Sequence, residues 1–189
     1  MKPFRSFVPP LAAMLLAASG GAAAEGVLID KSEIRIVSKA MGASVEGRFR
    51  RWKANVDFQP GALANSKADL EVDLASIDLA SEATEAETRR AAWFDTAKFP
   101  VATFKSTAIR SLGADRYEIA GALALKGVTK DIVVPVALRK DAGGNAVAEG
   151  QFTLKRLDFK IGEGEWADTS AVANDVVVRV RMVLPPLSQ

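Results

Sequence analysis

The run VVVRVRMVL, Val176 to Leu184, decides the fold: Val176, Val178, Val180, Met182 and Leu184 share one parity, and Arg179 and Arg181 stand on the other. Apolar residues at every second position mark a strand with one buried face and one wet face. The same pattern recurs upstream. Trp52, Ala54, Val56 and Phe58 alternate with Lys53, Asn55 and Asp57, and Leu70, Val72 and Leu74 alternate with Asp69, Glu71 and Asp73. Tyr117, Ile119, Gly121, Leu123 and Leu125 form a third set, and Ile132, Val134, Val136 and Leu138 a fourth.

Turn chemistry falls between these runs. Pro60-Gly61, Leu112-Gly113-Ala114-Asp115, Lys126-Gly127 and Asp141-Ala142-Gly143-Gly144-Asn145 are placed as hairpin connections. Shorter candidate strands near 27–38, 45–50, 101–110 and 147–155 bring the count to about eight at hairpin spacing. Such a set closes economically into an all-β antiparallel barrel, because closure removes the open edges. One stretch departs from the rule. SEATEAETRRAAW, residues 81–93, lacks alternation, is rich in Ala and Glu, and carries Thr84 and Glu87 at capping-box spacing. It reads as a short helical insert that either plugs the barrel or covers its wall.

The beginning of the chain reads as an export signal. Lys2 and Arg5 precede an apolar stretch from Leu11 to Ala18 and the small residues Ala22-Ala23-Ala24. The apolar run is shorter than the roughly 20 residues that span a bilayer, so cleavage after Ala24 and a periplasmic product, residues 25–189, are expected. The formal charge of +2 includes Lys2 and Arg5, leaving 2 − 2 = 0 on the remainder. A chain without net charge offers no field for nucleic acid. Cysteine and histidine are both absent. Their absence removes Ser-His and Cys-His nucleophiles, the ordinary zinc site and the usual haem ligands.

The block FDTAKFPVATFKSTAI (Phe94 to Ile109) followed by GALALKGVTKDIVVPV (Gly121 to Val136) resembles the central signature of the YceI-like family, and IDKSEIRIVSKAMGASVEGRF (Ile29 to Phe49) is similar to its opening strands. The resemblance implies an eight-stranded lipocalin-like barrel whose apolar tunnel holds an isoprenoid tail, that of a prenyl quinone or a polyprenyl phosphate. The closing segment from Trp166 to Leu184 resembles the subset associated with membrane cytochromes of the b561 type, which implies a b-type cytochrome as a partner. A homodimer is also compatible. The chain departs from the family at Lys31-Ser32 and Thr88-Arg89, where many members carry histidine, so no role of those histidines transfers.

A tunnel of this kind needs apolar and aromatic walls. Val56, Val72, Ile119, Leu123, Val134, Val178 and Val180 are expected to line it from their inward parity, and Trp52, Phe58, Phe152 and Trp166 from size and position. Phe104 and Phe159 rest partly on the family blocks. The same residues could instead fill a solid barrel. Small residues on the apolar parity, Ala54, Gly121, Ala148 and Gly150, favour unfilled volume. The basic pairs Arg50-Arg51 and Lys155-Arg156 read as solvated charges that could meet a phosphate head group. The expected protein is a lipid carrier or store without a cofactor of its own. Two alternatives stand beside it: an interaction module with a solid core, and a glycoside hydrolase using Glu163 and Glu165 with Asp158 and Asp168. The glycine spacing of IGEGEWAD makes that segment a loop, where acidic residues are ordinary, so the chain is read as a binding protein and not an enzyme.

Overall fold

In the computed structural model, residues 26–187 are described; the expected signal segment and its cleavage site lie outside them. Ten strands form one antiparallel sheet: β1 (Glu33–Ala40), β2 (Ala43–Phe49), β3 (Trp52–Asp57), β4 (Lys67–Asp73), β5 (Ile77–Asp78), β6 (Val101–Gly113), β7 (Arg116–Leu125), β8 (Val128–Lys140), β9 (Ala146–Lys155) and β10 (Asp175–Leu184). Their order is β3-β4-β6-β7-β8-β9-β10-β1-β2-β5. Ten replaces the expected eight for a geometric reason. β2 and β3 are separated only by Arg50 and Arg51, and β4 and β5 only by a short 3-10 turn, Leu74–Ser76. Each pair is one long strand bent at a corner. β3 pairs with β4 before the bend and β2 pairs with β5 after it, so the bent strands stay partnered and the sheet curls round on itself.

Ser76 holds that corner. It is 4% exposed, its Oγ accepts from Arg51 N at 3.0 Å and donates to Asp73 O at 2.6 Å, and its carbonyl accepts from Arg50 N at 3.1 Å. A buried hydroxyl there satisfies backbone groups that the broken ladder leaves over. Asp78 braces the outside, its carboxylate accepting from Arg48 Nε and Arg50 Nε, each at 3.0 Å.

The hairpins follow turn chemistry. Met41-Gly42 and Lys126-Gly127 adopt positive φ at both positions (50° and 79°; 47° and 74°), the tight turn whose twist matches paired strands. In the Asp141–Asn145 loop the Asp141 carboxylate accepts from Gly143 N, Asn145 N and Asn145 Nδ2, which draws its pKa below the usual aspartate value.

The helix is shorter than its composition suggests. α1 spans Glu82–Thr88 and is capped by Ser81, whose hydroxyl accepts from Thr84 N, so the capping residue lies three positions before the expected Thr84. Glu87 pairs instead with Arg90 at 2.9 Å. Beyond Thr88 the chain turns repeatedly, with Asp95 at a φ of 50°, and carries Trp93 and Phe94 inward against the sheet.

Candidate functional site

The inward faces line two adjoining cavities. The larger, about 500 Å³, lies between the β1–β2 end of the sheet, α1 and the loop 161–172; the smaller, about 160 Å³, continues between β3, β4, β6, β7, β8, β9 and β10. They share six wall residues, Ile34, Val72, Ala102, Leu123, Phe152 and Val178, so they lie side by side along the interior. The apolar parity of β10 travels its length: Val176 faces the larger part, Val178 both, and Val180, Met182 and Leu184 the smaller. The walls are almost wholly apolar, as alternation requires when the wet face carries the charges. This hollow interior favours a tunnel over a solid core.

The structure gathers ten of the thirteen expected lining residues around this hollow. Val72, Leu123, Phe152 and Val178 border both parts, Trp166 the larger, and Val56, Phe104, Ile119, Val134 and Val180 the smaller. Three lie elsewhere. Phe159 is 2% exposed and packs with Leu74, Ile77 and Phe94, because the 3-10 turn Arg156–Phe159 carries it into the wall itself. Trp52 packs against the Ile34, Val178 and Met182 cluster without bordering the hollow. Phe58 stands one inward position past Val56 and meets Tyr117 edge-on, centroids 5.1 Å apart, which is a packing contact at the far end.

The small residues do not all leave space. At Gly121 an added Cβ would lie 2.5 Å from Phe104 Cζ and 2.5 Å from the Lys105 carbonyl, so the ring of Phe104 occupies the room. Ala148 and Gly150 border the smaller cavity, whereas Ala54 does not.

Several wall residues lie outside the expected set. Ile34, Ile36, Ser38 and Ala40 line the larger cavity along β1, and their shared parity in EIRIVSKA is the signal that finds them. Trp93, Phe94 and Arg156 sit in irregular chain where no period exists. Arg156 corrects the reading of Lys155-Arg156 as solvated charges. It is 2% exposed, and all five of its N–H groups donate to backbone carbonyls. Nε donates to Ala173 O (3.1 Å), Nη1 to Ile161 O (2.9 Å) and Gly162 O (2.7 Å), and Nη2 to Trp166 O (2.7 Å) and Val172 O (2.8 Å). Its guanidinium lies 5.8 Å from the Trp93 ring centroid, and burial lowers its pKa from the arginine value. Lys126 works alongside. Only 7% exposed, it donates to Ala92 O at 3.3 Å and to Lys160 O, and lies 3.6 Å from Glu163. These two cations clasp the loop 156–174 and the turn at Ala92 over one end of the hollow. Arg50 and Arg51, by contrast, make exposed pairs with Asp78 and Asp73, both at 2.8 Å.

The acidic loop is engaged in structure. Asp158 pairs with Lys130 at 2.8 Å, Glu163 faces Lys126, and Asp168 accepts from Ser170 N and Oγ, which lowers its pKa.

Comparison with known proteins agrees with this geometry. A family model for the YceI-like domain matches residues 28–184. A UPF0312 protein of Vibrio parahaemolyticus is 30% identical over 164 residues, 82% of this chain and 87% of its own length. A UPF0312 protein of Azotobacter vinelandii is 35% identical over 120 residues, 61% of this chain. The matched stretch spans 62% of that relative and 48% of one from Vibrio cholerae. Among solved structures, BcnA of Burkholderia cenocepacia superposes with a TM-score of 0.80 at 36% identity, covering 83% of this chain and 98% of BcnA. A polyisoprenoid binding domain from Saccharophagus degradans superposes with a TM-score of 0.70 at 17% identity, covering 87% of this chain and 99% of that one, a likeness of fold. The family match takes in every strand from β1 to β10, and BcnA superposes on the same curled sheet: this chain belongs to the YceI-like family.

Proposed function

We propose that the protein binds a long isoprenoid lipid, holding the tail in the hollow of the barrel for carriage or storage, and that it does so in the periplasm after export. The observation that carries this reading is the pair of adjoining apolar cavities, which share six wall residues. Burying a methylene releases about 0.8 kcal/mol, so a tail of about twenty carbons offers well over about 10 kcal/mol. That gain exceeds the low end of the 4–15 kcal/mol that association costs. Polyisoprenoid binding by the Saccharophagus domain of the same fold supports the ligand class. A b-type membrane cytochrome is the partner that the closing segment suggests, and a homodimer is a compatible assembly.

Native mass spectrometry of protein purified from its own envelope, followed by organic extraction, tests this reading. A stoichiometric prenyl compound is expected. Protein that emerges empty and also refuses added prenyl quinones, prenyl phosphates and fatty acids would overturn it.

A further inference from the structure

Across the strand ladders, charge meets opposite charge with one break. Lys53 stands opposite Glu71, Asp57 opposite Lys67, Asp69 opposite Lys105 and Arg110 opposite Glu118. Asp175 stands opposite Lys155, Arg181 opposite both Glu149 and Glu33, and Arg48 opposite Asp78. The exception is Arg35, which faces Arg179 on β10 and Arg48 on β2. Three arginines therefore lie in line across β10, β1 and β2, on strands about 4.8 Å apart. Like charges directly opposite one another destabilise a sheet. Among the described residues, the ladders hold no other pair of like charge.

Neighbouring acids do not neutralise the row. All three side chains are exposed, and Arg179 donates through Nε to the neutral Gln151 at 3.0 Å. Asp78 is shared between Arg48 and Arg50, and Glu149 between Arg139 and Arg181, while Glu33 pairs with Arg35. Adding Glu46, opposite Val37, still leaves more arginines than carboxylates on this part of the outer wall. Directly beside the row, Val37 stands opposite Val177 on the same outer face, and both are half-buried.

We infer that this row is a docking surface for an anionic lipid bilayer, with Arg35, Arg48 and Arg179 on lipid phosphates and Val37 and Val177 against the carbon beneath them. A guanidinium fork meets a phosphate through two parallel hydrogen bonds, and a bilayer offers phosphates over a plane, where an exposed row of fixed positions can reach several. Residues 25–189 carry no net charge, so the attraction is confined to this wall and orients the barrel on the membrane. A second copy is a poor occupant, because a two-fold contact centred on the row sets arginine against arginine. The choice of a lipid surface rests on the carrier reading, since an isoprenoid cargo comes from a membrane.

Vesicle flotation of the purified protein tests the inference, with no isoprenoid in either vesicle: pure phosphatidylcholine, and an equal mixture of phosphatidylcholine and phosphatidylglycerol. The protein is expected to float with the mixed vesicles and not with the pure ones, and to be released at about 1 M salt, where the screening length is about 3 Å. R35Q/R179Q removes both like-charged contacts. It is expected to bind the mixed vesicles about thirtyfold more weakly, from about 1 kcal/mol for each arginine near an anionic surface, with its thermal midpoint unchanged or raised. K105Q/R110Q makes the same loss of charge on β6, separated from β10 by β7, β8 and β9, and is expected to bind as the parent does. Indifference of the parent to the mixed vesicles, undiminished binding by R35Q/R179Q, or equal weakening in both double variants would overturn the docking surface. A lowered midpoint in R35Q/R179Q would assign the row to the fold and overturn it as well. Because neither vesicle holds an isoprenoid, each of these failures leaves carriage standing, whereas a protein that floats yet refuses every prenyl ligand would overturn carriage and not docking.

Discussion

At the scale of single residues, Arg156 shows how charge can serve as scaffold. A guanidinium is planar, keeps its charge and presents five donors in a fixed fork, which suits it to gather carbonyls from Ile161, Gly162, Trp166, Val172 and Ala173 at one point. Arg156→Met keeps much of the volume and leaves those acceptors unpaired. It should lower the unfolding free energy in urea by at least about 3 kcal/mol, at 1–3 kcal/mol for each buried acceptor that cannot reach water. Arg156→Lys should recover only part, since an ammonium offers three donors on a flexible stem. A Met variant within about 1 kcal/mol of the parent would show that the loop is held by its other contacts.

Asp78 gives the complementary case. Hydrogen bonds from Arg50 and Arg48 hold its pKa at about 2, below the ordinary 3.8. A depressed carboxylate stabilises the fold above its unfolded pKa, and that contribution fades as pH falls through the folded value. The window is therefore from about 4 down to about 2. A carboxyl NMR titration should place the Asp78 midpoint near the lower end, and Asp78→Asn should flatten the acid limb of the stability curve across that window. A midpoint near 3.8 would mean that the Arg48 and Arg50 pairs are too solvated to matter.

At the scale of elements, the close approach of β6 and β7 turns on Gly121. An alanine there would place its Cβ 2.5 Å from Phe104 Cζ and 2.5 Å from the Lys105 carbonyl. Overpacking of that kind costs about 1–3 kcal/mol, and Gly121→Ala should lower the thermal midpoint accordingly. Adding Phe104→Leu removes the ring and not the carbonyl, so the double variant should regain part of the loss and not all. Full recovery would locate the whole clash in the side chain. The same pair shows what sequence can and cannot disclose. The parity of Gly121 was legible because the strand has one buried face. That Phe104 fills its space was not, since it depends on the register that sets Phe104 opposite Leu123 and Ser106 opposite Gly121. Most strand positions and four of the hairpin turns were likewise readable from alternation and turn residues, whereas the Met41-Gly42 turn was not singled out. The corners that split two strands into four are made by Ser76 and Asp78 reaching across to Arg50 and Arg51, residues about 25 positions away, and no local pattern encodes that. Trp93, Phe94 and Arg156 escaped for the same reason: they sit in turns, where neither a period of two nor of 3.6 applies.

At the scale of the whole molecule, the question is whether the two cavities act as one. Leu123 borders both, which makes it the natural place to divide them. Leu123→Trp would fill the space where the two cavities meet at a stability cost of about 1–3 kcal/mol, well short of what unfolds an ordinary domain with about 5–15 kcal/mol in hand. Short-tailed prenyl quinones that fit the larger cavity should bind the variant and the parent alike. Longer tails should gain affinity in the parent as each added methylene is buried, at about 0.8 kcal/mol apiece, until the smaller cavity is full. In the variant that gain should stop at the tail length that reaches position 123. Titrations with a ladder of tail lengths, with circular dichroism to establish that the variant keeps its sheet, read this directly. Parallel rises in both proteins would mean that long tails do not enter the smaller cavity, which is then only a packing void; an early plateau in the variant alone would mean that the barrel measures its ligand along its full length.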